Sequence, residues 1–380
     1  MQFPEAPGCG QNNQKIAVFA RTMRSGGVER VTLHLINELV GRGVEVDLVL
    51  AECKGAYLEK VDPRVNVVDL QALSLRGYTL RLAAYLKRTR PEALLAQGSE
   101  CGVSAVLARF IARVPTRVVA SCHGTLSRAV ANSMDFKVRF LPWLIRLTFP
   151  FAEAVVAVSE GVANDLSLSV GLPRDSIRVI YNPSVTDDLL SFHSEPPSHP
   201  FWQSGVPVLV AVGRMVLAKN FPGLIQAFAK ALERKEMRLV VIGDGPERDR
   251  LEEMVEELGI DKYVHFPGFL EPPWGWMMHA DLFVLSSSWE GLPTVLIEAL
   301  ALGCRIVSTD CPSGPREILS DGRFGILAPV DDVQGLADAM IIALDNRHQP
   351  LVQQSRARDF MVAPSVEAYR SLLLTKVESG

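Results

Sequence analysis

The stretch KIAVFARTMRSGGVERVTLHLINELVGRGVEVDLVLA (15–51) decides the fold. Its first six residues, KIAVFA (15–20), are a short apolar run of the kind a buried strand shows. A loop, RTMRSGG, follows. Val31, Leu35 and Leu39 then share one face at helical spacing, which predicts a helix from Val28 to Val40. Gly41 and Gly43 stop it. VEVDLVLA (44–51) is a second strand. Strand, glycine loop, helix and strand make a βαβ unit, the crossover that parallel strands require.

The alternation continues outward. Strand-like runs lie at 65–70, 93–98, 117–122, 154–159 and 177–182, with helical patterns at 78–90, 101–112 and 160–170. They predict a first α/β domain over 15–185. Residues 1–14, rich in Gly, Pro, Gln and Asn, read as a flexible leader. Residues 186–206 break the pattern with prolines and read as a linker. A second series begins at PVLVAVG (207–213). It runs through helix 221–234, strand 238–243, helix 246–258, strands 264–269 and 281–287, helix 294–302 and strand 304–310. That is a second α/β domain, over 207–359. Ligands of such sheets bind at the carboxyl ends of the strands, so the cleft between the two halves is the expected site.

Composition narrows the class. Of 380 residues, 48% are hydrophobic and 22% charged, which excludes a disordered chain, a collagen-like fibre and a coiled coil. No run reaches the roughly 18 uncharged apolar residues of a spanning helix; Leu141 to Val158 is broken by Arg146 and Glu153. The net charge of −4 argues against nucleic acid as a partner. It is unevenly spread: residues 1–185 carry 22 Lys and Arg against 16 Asp and Glu, and the rest carry 17 against 27. A basic half and an acidic half suggest two domains with different tasks. The six cysteines form no CxxC pair and no zinc-spaced cluster, which fits a reducing compartment. The polar N-terminus lacks the apolar core of a secretory signal, so a cytoplasmic location is expected. No metal pair stands at a strand end: Asp187–Asp188 and Asp331–Asp332 lie in linker-like contexts and read as solvated charge.

Several residues could carry chemistry. Ser25–Gly26–Gly27 separates the first strand from the first helix, where glycine permits close backbone approach and the helix N-terminus favours anions. A plain tight turn is the competing reading. His123, in SCHG (121–124), stands at a strand's carboxyl end, facing the expected cleft. Gly213 ends another strand, with Arg214 and Lys219 in the loop after it. A planar fork and a point charge together suit a diphosphate. The turn Gly243–Asp244–Gly245–Pro246 reads as structural. The most informative stretch is SSWEGLPTVLIEA (287–299), in which seven residues separate Glu290 from Glu298. Gly291 and Pro293 predict that the helix starts near Pro293 or Thr294. Glu290 then lies in the loop, Glu298 lies one turn inside, and the free amides near Thr294 and Val295 can meet an anion. Carboxylates there can accept hydrogen bonds from ribose or sugar hydroxyls.

GGVERV near the start, VSEGV (158–162), VIYNP (179–183), VGRMVLAKN (212–220), VIGDGPER (241–248) and the long run 286–319 occur in an order that resembles the retaining GT-B glycosyltransferases of the group-4 family, the bacterial polysaccharide and glycolipid synthase type. The resemblance spans about 300 residues. It implies two Rossmann-like parallel-sheet domains facing a central cleft, with the last helix, 360–380, crossing back to the first domain. It implies a metal-independent hexosyltransferase, without cofactor, using a nucleotide-sugar donor, with UDP the expected nucleotide. The acceptor would be a lipid-linked or cell-surface glycan. Arg214 and Lys219 would hold the diphosphate, helped by the amides of Thr294 and Val295. Glu298 would bind the ribose, Glu290 the donor sugar, and His123 would sit by the transferring sugar. Gly26, Gly27, Gly213, Gly291, Leu292 and Pro293 would complete the donor site, Gly27 approaching the diphosphate as the cleft closes. His123, Arg214, Lys219 and Glu290 are the expected catalytic set. Retention by double displacement needs a carboxylate nucleophile, and none is evident near His123. The resemblance therefore implies same-face substitution, in which the leaving diphosphate helps deprotonate the acceptor.

A different feature suggests a membrane. FKVRFLPWLIRLTFPF (136–151) mixes Lys137, Arg139 and Arg146 with large apolar residues, a pattern that suits an anionic lipid surface. Arg81, Lys87, Arg88 and Arg90 add charge nearby, and Pro142 and Pro150 are expected to limit the helix. A core helix with a few surface charges is the competing reading. Other classes remain: a GT-B sugar-nucleotide epimerase, or a noncatalytic sugar-nucleotide-binding protein. A nicotinamide enzyme lacks support, because no G-x-G-x-x-G follows the first strand.

Overall fold

The computed structural model describes residues 15–24 and 26–374. The expected leader, Ser25 and the end of the expected crossover segment, 375–380, lie outside the described residues. Among the described residues thirteen strands form two sheets. The first holds β1 (Lys15–Ala20), β2 (Glu45–Leu50), β3 (Asn66–Asp69), β4 (Ala93–Gln97), β5 (Arg117–Cys122), β6 (Ala154–Ala157) and β7 (Ile177–Val179), in the order β3-β2-β1-β4-β5-β6-β7. The second holds β8 (Val208–Val212), β9 (Arg238–Ile242), β10 (Val264–Gly268), β11 (Leu282–Leu285), β12 (Ile306–Thr309) and β13 (Ile326–Ala328), in the order β10-β9-β8-β11-β12-β13. Neighbouring strands pair in parallel throughout, as Ile16 does with Val46 and Ala93. Central strands such as β1, β4 and β8 are continuous apolar runs because helices cover both faces.

The strand order fixes where a ligand can lie. In the first sheet the chain moves from β1 outward to β3, then returns to lay β4 on the other side of β1. In the second it reverses between β8 and β11 in the same way. Each reversal parts the loops at the carboxyl ends of the central strands and opens a crevice there.

Residues 186–206 are a structured connector with two short helices, Asp187–Leu190 and Pro200–Gln203. The Trp202 indole N–H donates to the His279 carbonyl at 2.8 Å and pins the connector to the second domain. The chain then crosses back through Arg358–Phe360 to the helix Val362–Leu374. There Val366, Tyr369 and Leu373 are buried in one core with Ile36 and Leu39 of the first helix, Gly27–Gly41. Each such side chain contributes about 1.5–3 kcal/mol of burial. The two crossings lie side by side: the Ser184 and Val185 amides donate to the Phe360 carbonyl, and the Val362 amide donates to Val185 at 2.9 Å.

The helix Phe136–Thr148 differs from expectation by running through Pro142. One backbone donor is lost, but Leu141 and Ile145 anchor the helix in the core on either side of it. Its other face leaves Phe136, Phe140, Trp143 and Leu147 exposed, and Phe151 just beyond it as well. Lys137, Arg139 and Arg146 are exposed among them. Arg81 does not join this basic surface: its guanidinium donates to the carbonyls of Leu70 and Gln71.

Candidate active site

A cleft of about 1130 Å³ opens between the two sheets at their reversals, and every expected site residue lines it. Gly26, Gly27 and His123 come from the first domain. Gly213, Arg214, Lys219, Glu290, Gly291, Leu292, Pro293, Thr294, Val295 and Glu298 come from the second. The helices Gly27–Gly41 and Thr294–Ala301 both start at the cleft, and neither has a side-chain N-cap. Their starts nearly touch: a β-carbon on Gly27 would sit 3.4 Å from Thr294 Oγ1. First-turn amides of both helices thus face one space, an arrangement suited to an anion.

Lys219 sits in the turn Leu217–Lys219 after β8, and its backbone carbonyl accepts from Ser286 Oγ at 2.8 Å. Its Nζ lies 2.5 Å from Glu290 Oε1, which also accepts from Ser287 Oγ at 2.6 Å. Arg214 is exposed in the cleft, and its side chain makes no hydrogen bond to a described residue. Burial pushes the Glu29 carboxyl up from its ordinary value, while Arg214, Arg21 and Arg24 oppose that shift. The Gly243–Pro246 turn packs on the Gly213 loop, where a β-carbon on Gly243 would fall 1.9 Å from the Gly213 carbonyl, and Gly243, Asp244 and Gly245 also line the cleft.

The loop carrying Gly291 is fastened to the first domain. Its carbonyl accepts from Ser159 Oγ at 2.9 Å and Ser313 Oγ at 2.7 Å. Asn182 Nδ2 donates to the Leu292 carbonyl at 3.3 Å. A β-carbon on Gly291 would lie 2.0 Å from the His123 carbonyl, so only glycine fits.

Glu298 lies one turn inside the helix Thr294–Ala301 and lines the cleft. It is 2% exposed, and both carboxylate oxygens are engaged. Arg30 Nη1 donates to Oε1, and the Trp274 indole donates to Oε2 at 2.9 Å. Arg30 Nη2 also pairs with Glu271 at 2.8 Å, and its Nε donates to the Tyr57 hydroxyl at 3.2 Å. Although burial disfavours its charge, Glu298, Tyr57 and Glu271 hold the Arg30 guanidinium protonated well above its ordinary range. Sequence reasoning missed this cross-domain cluster. The available signal was Arg30 itself, one turn beyond Gly27 on the same helix face.

His123 Nε2 lies 2.6 Å from Gln97 Oε1 and 3.2 Å from Ser121 Oγ. Burial lowers the imidazole from its ordinary 6.5 to about 4, so the ring is neutral. Among the described residues no cluster of His, Cys, Asp and Glu is arranged to hold a metal.

The model for glycosyltransferase family 4 matches residues 25–187, and that for glycosyl transferases group 1 matches 197–360. Over 342 residues the chain is 27% identical to N-acetylgalactosamine-N,N'-diacetylbacillosaminyl-diphospho-undecaprenol 4-alpha-N-acetylgalactosaminyltransferase of Campylobacter jejuni, covering 88% of this chain and 91% of that one. It is also 27% identical to the lipopolysaccharide core biosynthesis glycosyltransferase LpsE of Rhizobium meliloti, over 93% of this chain and 97% of that one. Among solved structures, Anabaena HepE in complex with UDP and glucose superposes with a TM-score of 0.77 at 21% identity, over 95% of this chain and 99% of that one. The apo form of the lipopolysaccharide outer core galactosyltransferase WaaB gives 0.72 at 20%, over 96% and 100%. These likenesses set aside the noncatalytic reading. Two parallel sheets, a cleft at both strand reversals and two family matches in tandem lead to one assignment: the chain belongs to the GT-B glycosyltransferases built from a family 4 first domain and a group 1 second domain.

Proposed function

We propose that the enzyme transfers a sugar from a UDP-sugar to a lipid-linked or cell-surface glycan acceptor, with retention at the anomeric carbon. One observation carries the reading: two uncapped helix N-termini, Arg214 and Lys219 converge on a single cleft. In this reading the diphosphate lies between the two helix starts, against Arg214 and Lys219. Their positive charge stabilises the departing diphosphate, and electrostatic stabilisation of this kind usually contributes more to catalysis than any other effect. One of the diphosphate oxygens takes the acceptor's proton as the new bond forms on the same face. Glu290, oriented by Lys219 and Ser287, accepts from the sugar's hydroxyls. Glu298 has oxygen lone pairs left after its bonds to Arg30 and Trp274, and these accept from the ribose. His123 faces the sugar. Names of relatives support the acceptor class, since one acts on a diphospho-undecaprenol-linked sugar. Neighbours solved with UDP and with UDP-glucose support the donor.

The test is a transfer assay with UDP-hexoses and UDP-N-acetylhexosamines against a polyprenyl-diphosphate-linked sugar, with the product linkage read by NMR. An axial product from an axial donor is expected; an inverted anomer counts against retention. Transfer from GDP-sugars alone counts against the UDP assignment.

The apolar and basic face of Phe136–Thr148 is read, within this proposal, as a contact for anionic lipid. No helix among the described residues is long and apolar enough to cross a membrane. Flotation with vesicles containing anionic phospholipid should recover the protein, and the double variant F140E/W143E should stay at the bottom. Equal recovery with neutral vesicles rejects the electrostatic part.

A further inference from the structure

The polar groups behind His123 form a connected set. β4 ends at Gln97, which sits opposite Ser121 of β5 in the sheet register. His123 follows β5 directly, and its Nε2 reaches both the Gln97 carboxamide oxygen and the Ser121 hydroxyl. Ser121 Oγ is 3.1 Å from the Tyr369 hydroxyl, which the returning helix Val362–Leu374 brings beneath it. Gln97, Ser121 and Tyr369 are all buried.

A carboxamide oxygen only accepts hydrogen bonds. With the Gln97 carboxamide oxygen facing the ring, Nε2 carries the ring proton and Nδ1 carries the lone pair. Nδ1 makes no hydrogen bond to a described residue, and His123 lines the cleft. At the other end of the amide, Gln97 Nε2 is buried with no partner among the described residues. That is a standing cost which an apolar residue at the end of β4 would avoid. The oxygen's grip on His123 is what the glutamine supplies in return.

We propose that Gln97 is a positioning residue for sugar transfer: it fixes His123 as the Nε2–H tautomer, so that Nδ1 accepts a hydrogen bond from a hydroxyl of the bound sugar, while Tyr369 steadies the ring through Ser121. The role rests on the reading of the cleft as the donor site. The ring stays neutral and moves no proton. It presents an acceptor where an imidazolium would present a second donor.

Nitrogen-15 NMR of the full chain labelled at histidine reads the tautomer without substrate, with the His123 signals assigned by their loss in His123→Asn. A protonated Nε2 and a bare Nδ1 are expected; a protonated Nδ1 overturns the proposal. Gln97→Leu should let the tautomers mix and lower kcat about tenfold, the worth of one hydrogen bond made in the transition state, with the donor KM little changed. An unchanged tautomer with unchanged kcat also overturns it. Gln97→Glu should raise the ring's titration towards neutrality, with kcat falling as the imidazolium fraction grows. The groups facing the ring favour a clean readout. Cys122 is pushed up to about 11 and Tyr369 to about 12, both by burial, so neither titrates near neutrality. Lys219 and Glu290, which line the same cleft, remain paired with each other. If the wild type turns over no nucleotide-sugar, the donor-site reading fails; a reversed tautomer fails the Gln97 assignment alone.

Discussion

Arg214 and Lys219 lie in one loop but differ in attachment. Lys219 is half-buried and paired with Glu290, whereas the Arg214 side chain is exposed and forms no hydrogen bond to a described residue. Arg214→Ala should therefore lower kcat by at least about 10²-fold with the melting temperature unchanged. Lys219→Ala should cost a similar factor and also lower the melting temperature, because Glu290 keeps only Ser287 as a partner. Steady-state kinetics beside thermal unfolding separates the two. Gly291→Ala should reduce kcat/KM by about 10²-fold, since the new methyl would push the loop off the His123 carbonyl and misplace the groups on both sides. Residues of this kind are legible in sequence, because glycines, cations and carboxylates stand at the ends of apolar runs. Arg30 and Gln97 are not. Arg30 meets a carboxylate 268 positions away, and Gln97 meets a histidine 26 positions away, so only the assembled sheets reveal their roles.

At the scale of elements, the apolar runs located every strand from β1 to β12; the central ones are covered on both faces and have no polar alternation to confuse them, whereas β3 and β7 are partly exposed. β13 escaped notice because it is three residues long and only its last is buried. The connector's two short helices escaped for a similar reason, each being a single turn among prolines and serines. The first helix does more than cross between strands. Through Arg30 it ties the first domain to Glu271 and Glu298 of the second. Removing one partner strands the other charges in a half-buried place, so Arg30→Met should destabilise the chain by about 2–5 kcal/mol in urea unfolding. The double variant R30M/E298Q should recover part of that loss, the sign of direct coupling in a double-mutant cycle.

For the molecule as a whole, two histidines make stability depend on pH. Burial holds His123 at about 4 instead of 6.5, and burial likewise lowers His34, whose ring is 2.9 Å from the Pro183 carbonyl. Between those values the unfolded chain binds protons that the folded chain refuses. Stability is therefore full above about pH 6.5 and declines as the pH falls towards 4. Urea midpoints at pH 7 and pH 4.5 should show the decline, and His123→Gln should remove part of it. The tandem domain plan follows from the repeated βαβ alternation, but the relation between the domains does not, because it depends on two crossings far apart in the chain. Those crossings, at Ser184–Val185 and Phe360–Val362, are bonded edge to edge. A ribbon of two plies bends easily across its flat face and resists both twisting and shearing. A swing of one domain about these paired crossings would bring Gly27 back to the same place opposite Thr294.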